Sequence, residues 1–321
     1  MGHILKGKSV LVTGGAGCIG AWVVKGLRDI GARPIVYDMS GNRRRLDLIM
    51  ERAKDVDWIK GDITSIKSLN TAIVDFDIFA IIHLAALQVP FAKADPVLGT
   101  QVNVMGTTHV FEASREAGIK RIAYASSIAA PAMGENNYLD TLYGAHKVCN
   151  EQMAKVYWQD WEVPSICIRP GVIYGPGRDQ GMSAAPTLGL LAALSGQAYD
   201  IPFTGPVSYV YAEDAAQRFI AAIARETEGA PVFDMNGVVV DMDEILQAIE
   251  YVTPYNGVTS SGKALPFPAL VDDGKLDAFI GVAPHRDFQT GLDDAAQIYR
   301  LALKNGVIDL AAIKNLIGIK E

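Results

Sequence analysis

The stretch Ser9-Val10-Leu11-Val12-Thr13-Gly14-Gly15-Ala16-Gly17-Cys18-Ile19-Gly20 decides how the rest of the chain is read. Ser9 to Val12 is a short valine-rich run suited to a strand buried on both faces, and Ala21-Trp22-Val23-Val24-Lys25-Gly26-Leu27 begins a helical pattern. Between them Gly14, Gly17 and Gly20 fall in the spacing G-x-x-G-x-x-G. Such spacing serves a tight turn, close approach of bare backbone to a pyrophosphate, and tight helix–strand packing, with the helix N-terminus facing the anion. Glycine-rich turns are also simply turns, so a second match matters. Asp38 ends the next apolar run, Pro34-Ile35-Val36-Tyr37, at the distance where a carboxylate can hydrogen-bond an adenosine ribose. Together the two features predict a dinucleotide site.

Composition bounds the remaining possibilities. The 321 residues suffice for one large or two modest domains with a sizeable core. Half of them are hydrophobic and a fifth charged, which fits a globular chain and not a disordered one. The formal net charge of −7 disfavours a nucleic-acid partner, and no basic arm interleaved with aromatics is present. Cys18, Cys149 and Cys167 have neither metal-ligand spacing nor an even count, so no metal and no disulfide framework is expected and a reducing cytoplasm is the simplest location. The start MGHILKGK is too short and too soon interrupted by lysine for a signal peptide, and no apolar run approaches a membrane span.

Along the chain, strand and helix patterns alternate. Val56 to Ile59 reads as a strand leading to Gly61-Asp62-Ile63-Thr64, with a helix from about Ser65 to Val74. Ile78 to Ala86 is almost wholly apolar and reads as a central strand whose small terminal residues underlie the nicotinamide half of the cofactor. His83 within it invites the reading of a catalytic base, but a lone histidine at a buried strand end is more often a hydrogen-bonded core residue. Asp95-Pro96 opens a helix that should run to about Gly118 and contain Asn103. The strand Arg121 to Ala125 ends in Ser126-Ser127, hydroxyls at the sheet edge where ligands of such sheets bind. Val163 to Ile168 gives one more strand, capped by Arg169-Pro170-Gly171-Val172-Ile173-Tyr174-Gly175-Pro176-Gly177-Arg178. Beyond it the alternation stops, and a smaller lobe with Pro186, Pro202, Pro206, Pro266 and Pro268 and short amphipathic helices is expected. Its best helices are Glu213 to Glu226, striped by Ala216, Phe219, Ile220 and Ile223, and Asp293 to Lys304, striped by Ala296, Tyr299, Leu301 and Leu303.

A second constellation is Tyr143-Gly144-Ala145-His146-Lys147. Residues four apart share a helix face, so the phenol and the ammonium can act on one ligand. A phenol titrates near pH 10 and needs a neighbouring cation to serve as a base at neutral pH. Y-x-x-x-K alone is a common chance pattern on solvated helices; here it follows Ser127 at loop distance in a chain with a dinucleotide pattern.

These segments together, in this order, resemble the extended short-chain dehydrogenase/reductase family, the NAD-dependent epimerase/dehydratase group, from Ser9 to about Arg178, with a weaker echo at Tyr209 to Ala216. The resemblance is nearest in character to the sugar-acid dehydrogenases of that group. It implies an α/β fold: a Rossmann-type doubly wound parallel sheet over residues 1–172 and a smaller α+β substrate lobe over 173–321, with segments around 203–228 returning to the Rossmann domain. It implies NAD as cofactor, bound by the loop residues Gly14, Gly17, Cys18, Ile19 and Gly20 and by Asp38, Asp62 and Ile63. Leu84, Ala85, Ala86 and Pro170 would line the same cofactor, with Tyr143 and Lys147. Tyr143 would be the acid/base, Lys147 would hold the ribose and acidify Tyr143, Ser127 would position the reacting oxygen, and Asn103 would support the active-site helix or a proton relay. A homodimer through the two helices flanking the site is a common arrangement in the family.

Departures from the family pattern bear on the substrate. Gly171-Val172-Ile173 stands where nucleotide-sugar enzymes carry an asparagine, and Val207-Ser208-Tyr209-Val210-Tyr211 where they carry a phosphate-binding arginine. Burying a diphosphate without these groups is costly. Ile128-Ala129 replaces the Asp-Glu pair of the dehydratases. The expectation is an NAD-dependent dehydrogenase of a small polar substrate such as a sugar acid, with Arg178 pairing a carboxylate and Gln88 meeting a hydroxyl. The alternatives are a nucleotide-sugar 4-epimerase and a non-enzymatic NAD sensor; an intact Ser127, Tyr143 and Lys147 argues against the sensor. Asp38 favours NAD over a 2′-phosphorylated cofactor, and Arg43, Arg44 and Arg45, which could reach such a phosphate, read as a solvated helix start.

Overall fold

The computed structural model describes residues 4–131, 140–235, 237–265, 274–281 and 286–318. Pro266 and Pro268 lie outside these residues. The strands are β1 (Ser9–Thr13), β2 (Arg33–Asp38), β3 (Asp57–Lys60), β4 (Ile78–His83), β5 (Ile122–Ala125) and β6 (Ile166–Pro170). They continue with β7 (Val172–Tyr174), β8 (Tyr199–Ile201), β9 (Val207–Tyr211), β10 (Val232–Met235), β11 (Val238–Val240) and β12 (Val258–Ser260).

Seven strands form one parallel sheet in the order β10-β6-β5-β4-β1-β2-β3. The order reverses between β1 and β4, and ligands of such Rossmann-type sheets bind in the crevice that opens there. Alternation along β1 supplies both faces. Val10 and Val12 pack with Val23, Leu27 and Phe219 on one side, and Leu11 packs with Leu69, Val110 and Phe111 on the other.

Local signals set the helix ends. Ser65 Oγ accepts from Ser68 N and starts the helix Ile66–Asp75. Asp95 caps Pro96–Thr100, as its position before a proline predicts. The single helix expected from there to Gly118 is interrupted by a π turn, Gln101–Met105, before continuing as Gly106–Ala117 and stopping at Gly118, whose φ of 69° is left-handed. The π turn contains Asn103.

The helix Ala212–Ala224 buries Phe219, Ile220 and Ile223 against the main sheet beside Cys18–Asp29. Within the stretch 203–228, this helix packs on the main sheet, whereas Phe203 and β9 belong to the second sheet and its core. Two features went unanticipated. β10 is the seventh strand of the main sheet, although its sequence falls in the stretch assigned to the lobe; a four-residue, half-buried edge strand carries too little periodicity to announce itself. The stretch Arg169 to Arg178 is not one cap. Arg169 and Pro170 end β6, while β7 pairs with β9 in a second sheet, β11-β9-β7. That sheet, the pair β12-β8 and the helices Ala185–Leu194, Met242–Val252 and Phe288–Lys304 enclose a separate core around Leu190, Tyr209, Ile245 and Leu292. In the last helix Ala296 and Tyr299 are buried as the stripe predicts, but Leu301 is 59% exposed.

Candidate active site

A cavity of about 1120 Å³ opens at the carboxyl ends of the main-sheet strands. Gly14, Gly17, Cys18, Ile19, Gly20, Asp38 and Ile63 line it, and so do Leu84, Ala85, Ala86, Tyr143, Lys147 and Pro170. The predicted substrate residues Gln88, Ser127 and Arg178 line it as well.

The turn after β1 needs its glycines. Gly14 has φ 72°, and a Cβ there would lie 2.7 Å from Ala85 N; a Cβ on Gly20 would collide with the Gly14 carbonyl. Asp38 ties this turn to the end of β2: Ala16 N donates to one carboxylate oxygen at 3.0 Å and Ser40 N to the other at 2.8 Å. Bare backbone, a helix N-terminus and a carboxylate at the end of β2 are the parts that hold a dinucleotide, and the cavity is large enough for one. The fit is therefore good. Asp62 is the exception among the predicted cofactor residues. It does not line the cavity, because its carboxylate accepts from Thr64 N and Oγ1, both at 2.8 Å, closing a local turn. Cys18 opens the helix Cys18–Asp29, and burial pushes its thiol up to about 11 against the opposing pull of Arg178 and Arg45.

Tyr143 and Lys147 lie one turn apart near the start of Leu142–Trp161, which Thr141 caps through Gly144 N. Lys147 is buried, donates to Ala125 O at 2.6 Å and stands 5.3 Å from the Tyr143 ring centroid. One further turn along the same face, Glu151 accepts from Ser126 Oγ at 2.5 Å and from Arg169 Nε and Nη2 at 2.8 and 2.6 Å. The ends of β5 and β6 are thereby fastened to the helix that carries Tyr143. Glu151 was missed in the sequence, although its place four residues after Lys147 could have revealed it. Ser127 Oγ accepts from Ala129 N at 3.1 Å.

Asn103 is buried but lies outside the cavity lining. Its Oδ1 accepts from Leu87 N at 2.7 Å, and its Nδ2 donates to Leu87 O at 2.9 Å, so it clamps the residue preceding Gln88. The same Nδ2 faces His146 Nδ1 at 3.2 Å. That nitrogen must accept, which leaves the imidazole proton on Nε2, 3.2 Å from Thr100 Oγ1. Burial, and then Lys147, lower the pKa of His146. His83 is a core residue. Its nitrogens meet Thr13 Oγ1 at 2.6 Å and Thr107 Oγ1 at 3.0 Å, and burial drives its pKa down to about 3.

Arg178 and Gln88 come together: a Cβ on Gly181 would lie 3.0 Å from Gln88 Oε1 and 3.5 Å from Arg178 Nη2. Arg178 also donates to Ser183 Oγ, and its Nε has no partner among the described residues. Arg43, Arg44 and Arg45 do start a helix, Arg44–Ile49, and Arg44 is exposed, but their guanidinium groups are partnered within the protein. Arg43 donates to Ala53 O and Val56 O and stacks on Trp58, while Arg44 and Arg45 both pair with Asp179. Asp179 comes from a distant part of the chain, which is why Arg44 and Arg45 read as solvated. No group of residues that could hold a metal ion occurs among the described residues.

A family model described as the NAD dependent epimerase/dehydratase family matches residues 10–236. The chain belongs to that family. It is thus an enzyme-family chain with the extended short-chain dehydrogenase/reductase fold. It is 29% identical to the UDP-glucose 4-epimerase of Mycolicibacterium smegmatis over 226 residues, which cover 66% of this chain and 72% of the relative. The UDP-glucose 4-epimerase of Thermotoga maritima, solved with UDP-glucose, superposes with a TM-score of 0.78 at 19% identity over 92% of this chain and 99% of that one. The L-threonine dehydrogenase of Clostridium difficile superposes equally well, with a TM-score of 0.81 at 19% identity over 94% and 100%. At such identities the superpositions establish the fold, and the fold is shared by an epimerase and a dehydrogenase.

Proposed function

We propose that this epimerase/dehydratase-family enzyme acts on a secondary alcohol of a nucleotide-linked sugar and epimerises it, using NAD as a tightly held cofactor. The observation that carries the reading is a set of cations on the cavity wall. Arg178, Lys93 and Lys263 all line it, and none of them is in a salt bridge with a carboxylate among the described residues. Lys93 and Lys263 were missed in the sequence, because one lies on a short helix after Gln88 and the other in a lobe loop, outside any motif. Three cations suit a diphosphate better than they suit a single carboxylate. They also stand in for the family's missing asparagine and arginine. The name borne by the mycobacterial relative agrees with this reading.

Nicotinamide, when bound, accepts and returns hydride. The chain supplies the rest. Tyr143 takes the proton from the substrate hydroxyl and later returns it, Lys147 stands beside the phenol and would hold the cofactor ribose, and Ser127 orients the reacting oxygen. Asn103 holds the loop that presents Gln88. An epimerase would need room in the cavity for the ketone to present either face, and would consume no cofactor.

A second reading, the dehydrogenase of a small sugar acid, is favoured by the wall at Gly171-Val172-Ile173, where Val172 and Ile173 are buried and apolar in the same cavity that Arg178 lines. One assay separates the two. Purified protein is given UDP-sugars and, separately, NAD⁺ with a panel of aldonic and uronic acids. Interconversion of a UDP-sugar without net NADH supports the epimerase; NADH with one acid and no change in any UDP-sugar overturns it in favour of the dehydrogenase.

We also propose that two copies pair through the helices flanking the site, where Val97, Leu98, Met105, Leu142 and Val156 are exposed apolar residues. A reducing cytoplasm suits the three free cysteines. None of the helices of the described residues is long and apolar enough to cross a membrane.

A further inference from the structure

Asp179 lies just past Arg178, far in sequence from the adenosine end of the cavity, yet its carboxylate is shared by two arginines of that end. Arg44 reaches it at 2.7 Å and Arg45 at 2.5 Å, and the carboxylate is only 11% exposed. Arg45 also donates to Ala16 O at 2.8 Å and to Gly177 O at 3.0 Å. Both arginines line the cavity, as do Asp38, Ser40 and Asn42. Two guanidinium cations and two carboxylates, Asp38 and Asp179, thus balance at one end of the site. Arg43 takes no part, since its guanidinium is spent on Ala53 O and Val56 O.

We propose that Asp179 is a determinant of cofactor choice: by occupying and neutralising Arg44 and Arg45, it makes this end of the cavity reject a ribose 2′-phosphate. The physical argument is competition. Arginines beside the ribose are the groups that accept a 2′-phosphate in dinucleotide sites, through paired N–H donors. Here those donors already face a carboxylate, and a phosphate carrying nearly two negative charges would have to displace it while also meeting Asp38. Removing the charge of Asp179 leaves the arginines in place, with free donors and a net positive charge. Asp179 acts through the arginines and is a positioning residue, not a catalytic one.

The proposal rests on the dinucleotide reading of the site, and its test keeps the two apart. Dissociation constants for NAD⁺ and NADP⁺ are measured by tryptophan fluorescence or calorimetry, without turnover, for the unaltered protein, Asp179→Asn, Asp179→Glu and Asp179→Asn combined with Arg44→Ala. The unaltered protein binds NAD⁺ more tightly; failure to bind either cofactor would instead refute the dinucleotide reading. Asp179→Asn shifts the ratio toward NADP⁺ by about ten-fold, the size expected for one added charge near a phosphate in a partly screened site. Asp179→Glu keeps the original ratio, and Arg44→Ala in the Asn background reverses most of the shift. A loss of structure alone would weaken both cofactors together. If Asp179→Asn leaves the ratio unchanged or weakens both equally, the proposal is overturned. Asp179→Ser, which also removes the charge, decides the matter in the same way should the Asn variant not fold.

Discussion

Tyr143 is set apart from the other tyrosines of the molecule by what surrounds it. Tyr174, Tyr209 and Tyr211 are packed in the lobe core, where burial raises their pKa values and leaves their hydroxyls unable to act on a ligand. Tyr143 instead lines the cavity beside Lys147. Tyr143→Phe should lower turnover at least about 100-fold, the usual worth of a positioned acid/base group. It should leave cofactor binding nearly unchanged, which fluorescence titration checks; retention of most activity would remove Tyr143 from its role. His83 offers a different test. Its folded pKa, about 3, lies below the ordinary 6.5, so as pH falls the unfolded chain takes up a proton that the folded one refuses. This stability is fully present above pH 6.5 and is lost as pH falls, by on the order of 1 kcal/mol per pH unit, until about pH 3. Thermal melts of His83→Asn should therefore show a flatter pH dependence between pH 6 and pH 4 than the parent, at some cost in stability at pH 7. An unchanged slope would mean that His83 is not the group responsible.

At the scale of elements, the helix Ala212–Ala224 joins the two parts of the chain, because it follows β9 of the second sheet and packs on the main sheet. Phe219 is fully buried there against Val10 and Leu27. Phe219→Ala should cost about 3–5 kcal/mol through lost contact and the cavity left behind. Denaturant titration should show a lower midpoint; a change within 1 kcal/mol would mean that the site collapses around the smaller side chain. The strand–helix units up to β6 were legible because each carries its own apolar run and its own cap, such as Ser65 or Asp95. The π turn around Asn103 was not, since one extra residue per turn leaves no mark in an apolar pattern. β7 and β10 were hidden for a similar reason: three or four residues are too few to show a period, and their partners lie far away along the chain.

For the whole molecule, the exposed apolar residues on the helices flanking the site predict a concentration-dependent dimer. Light scattering after size exclusion should give twice the 34.5 kDa chain mass, and replacing both Val97 and Met105 by lysine should shift the population toward the single chain. A single chain at all concentrations in the parent would sink that proposal. Fold class, the glycine turn, Asp38 and the Tyr143–Lys147 pair were legible in the sequence alone, because each leaves a local mark there: alternating apolar runs, a turn, a strand end, one helical step. The tertiary structure decided what no spacing encodes. It set Asn103 on the backbone of Leu87, joined Glu151 to Arg169, and brought Asp179 to Arg44 and Arg45. The last two are charge pairs between distant segments. Their partners are fixed only when burial of the two cores brings those segments together and leaves each charge one place where it can be compensated.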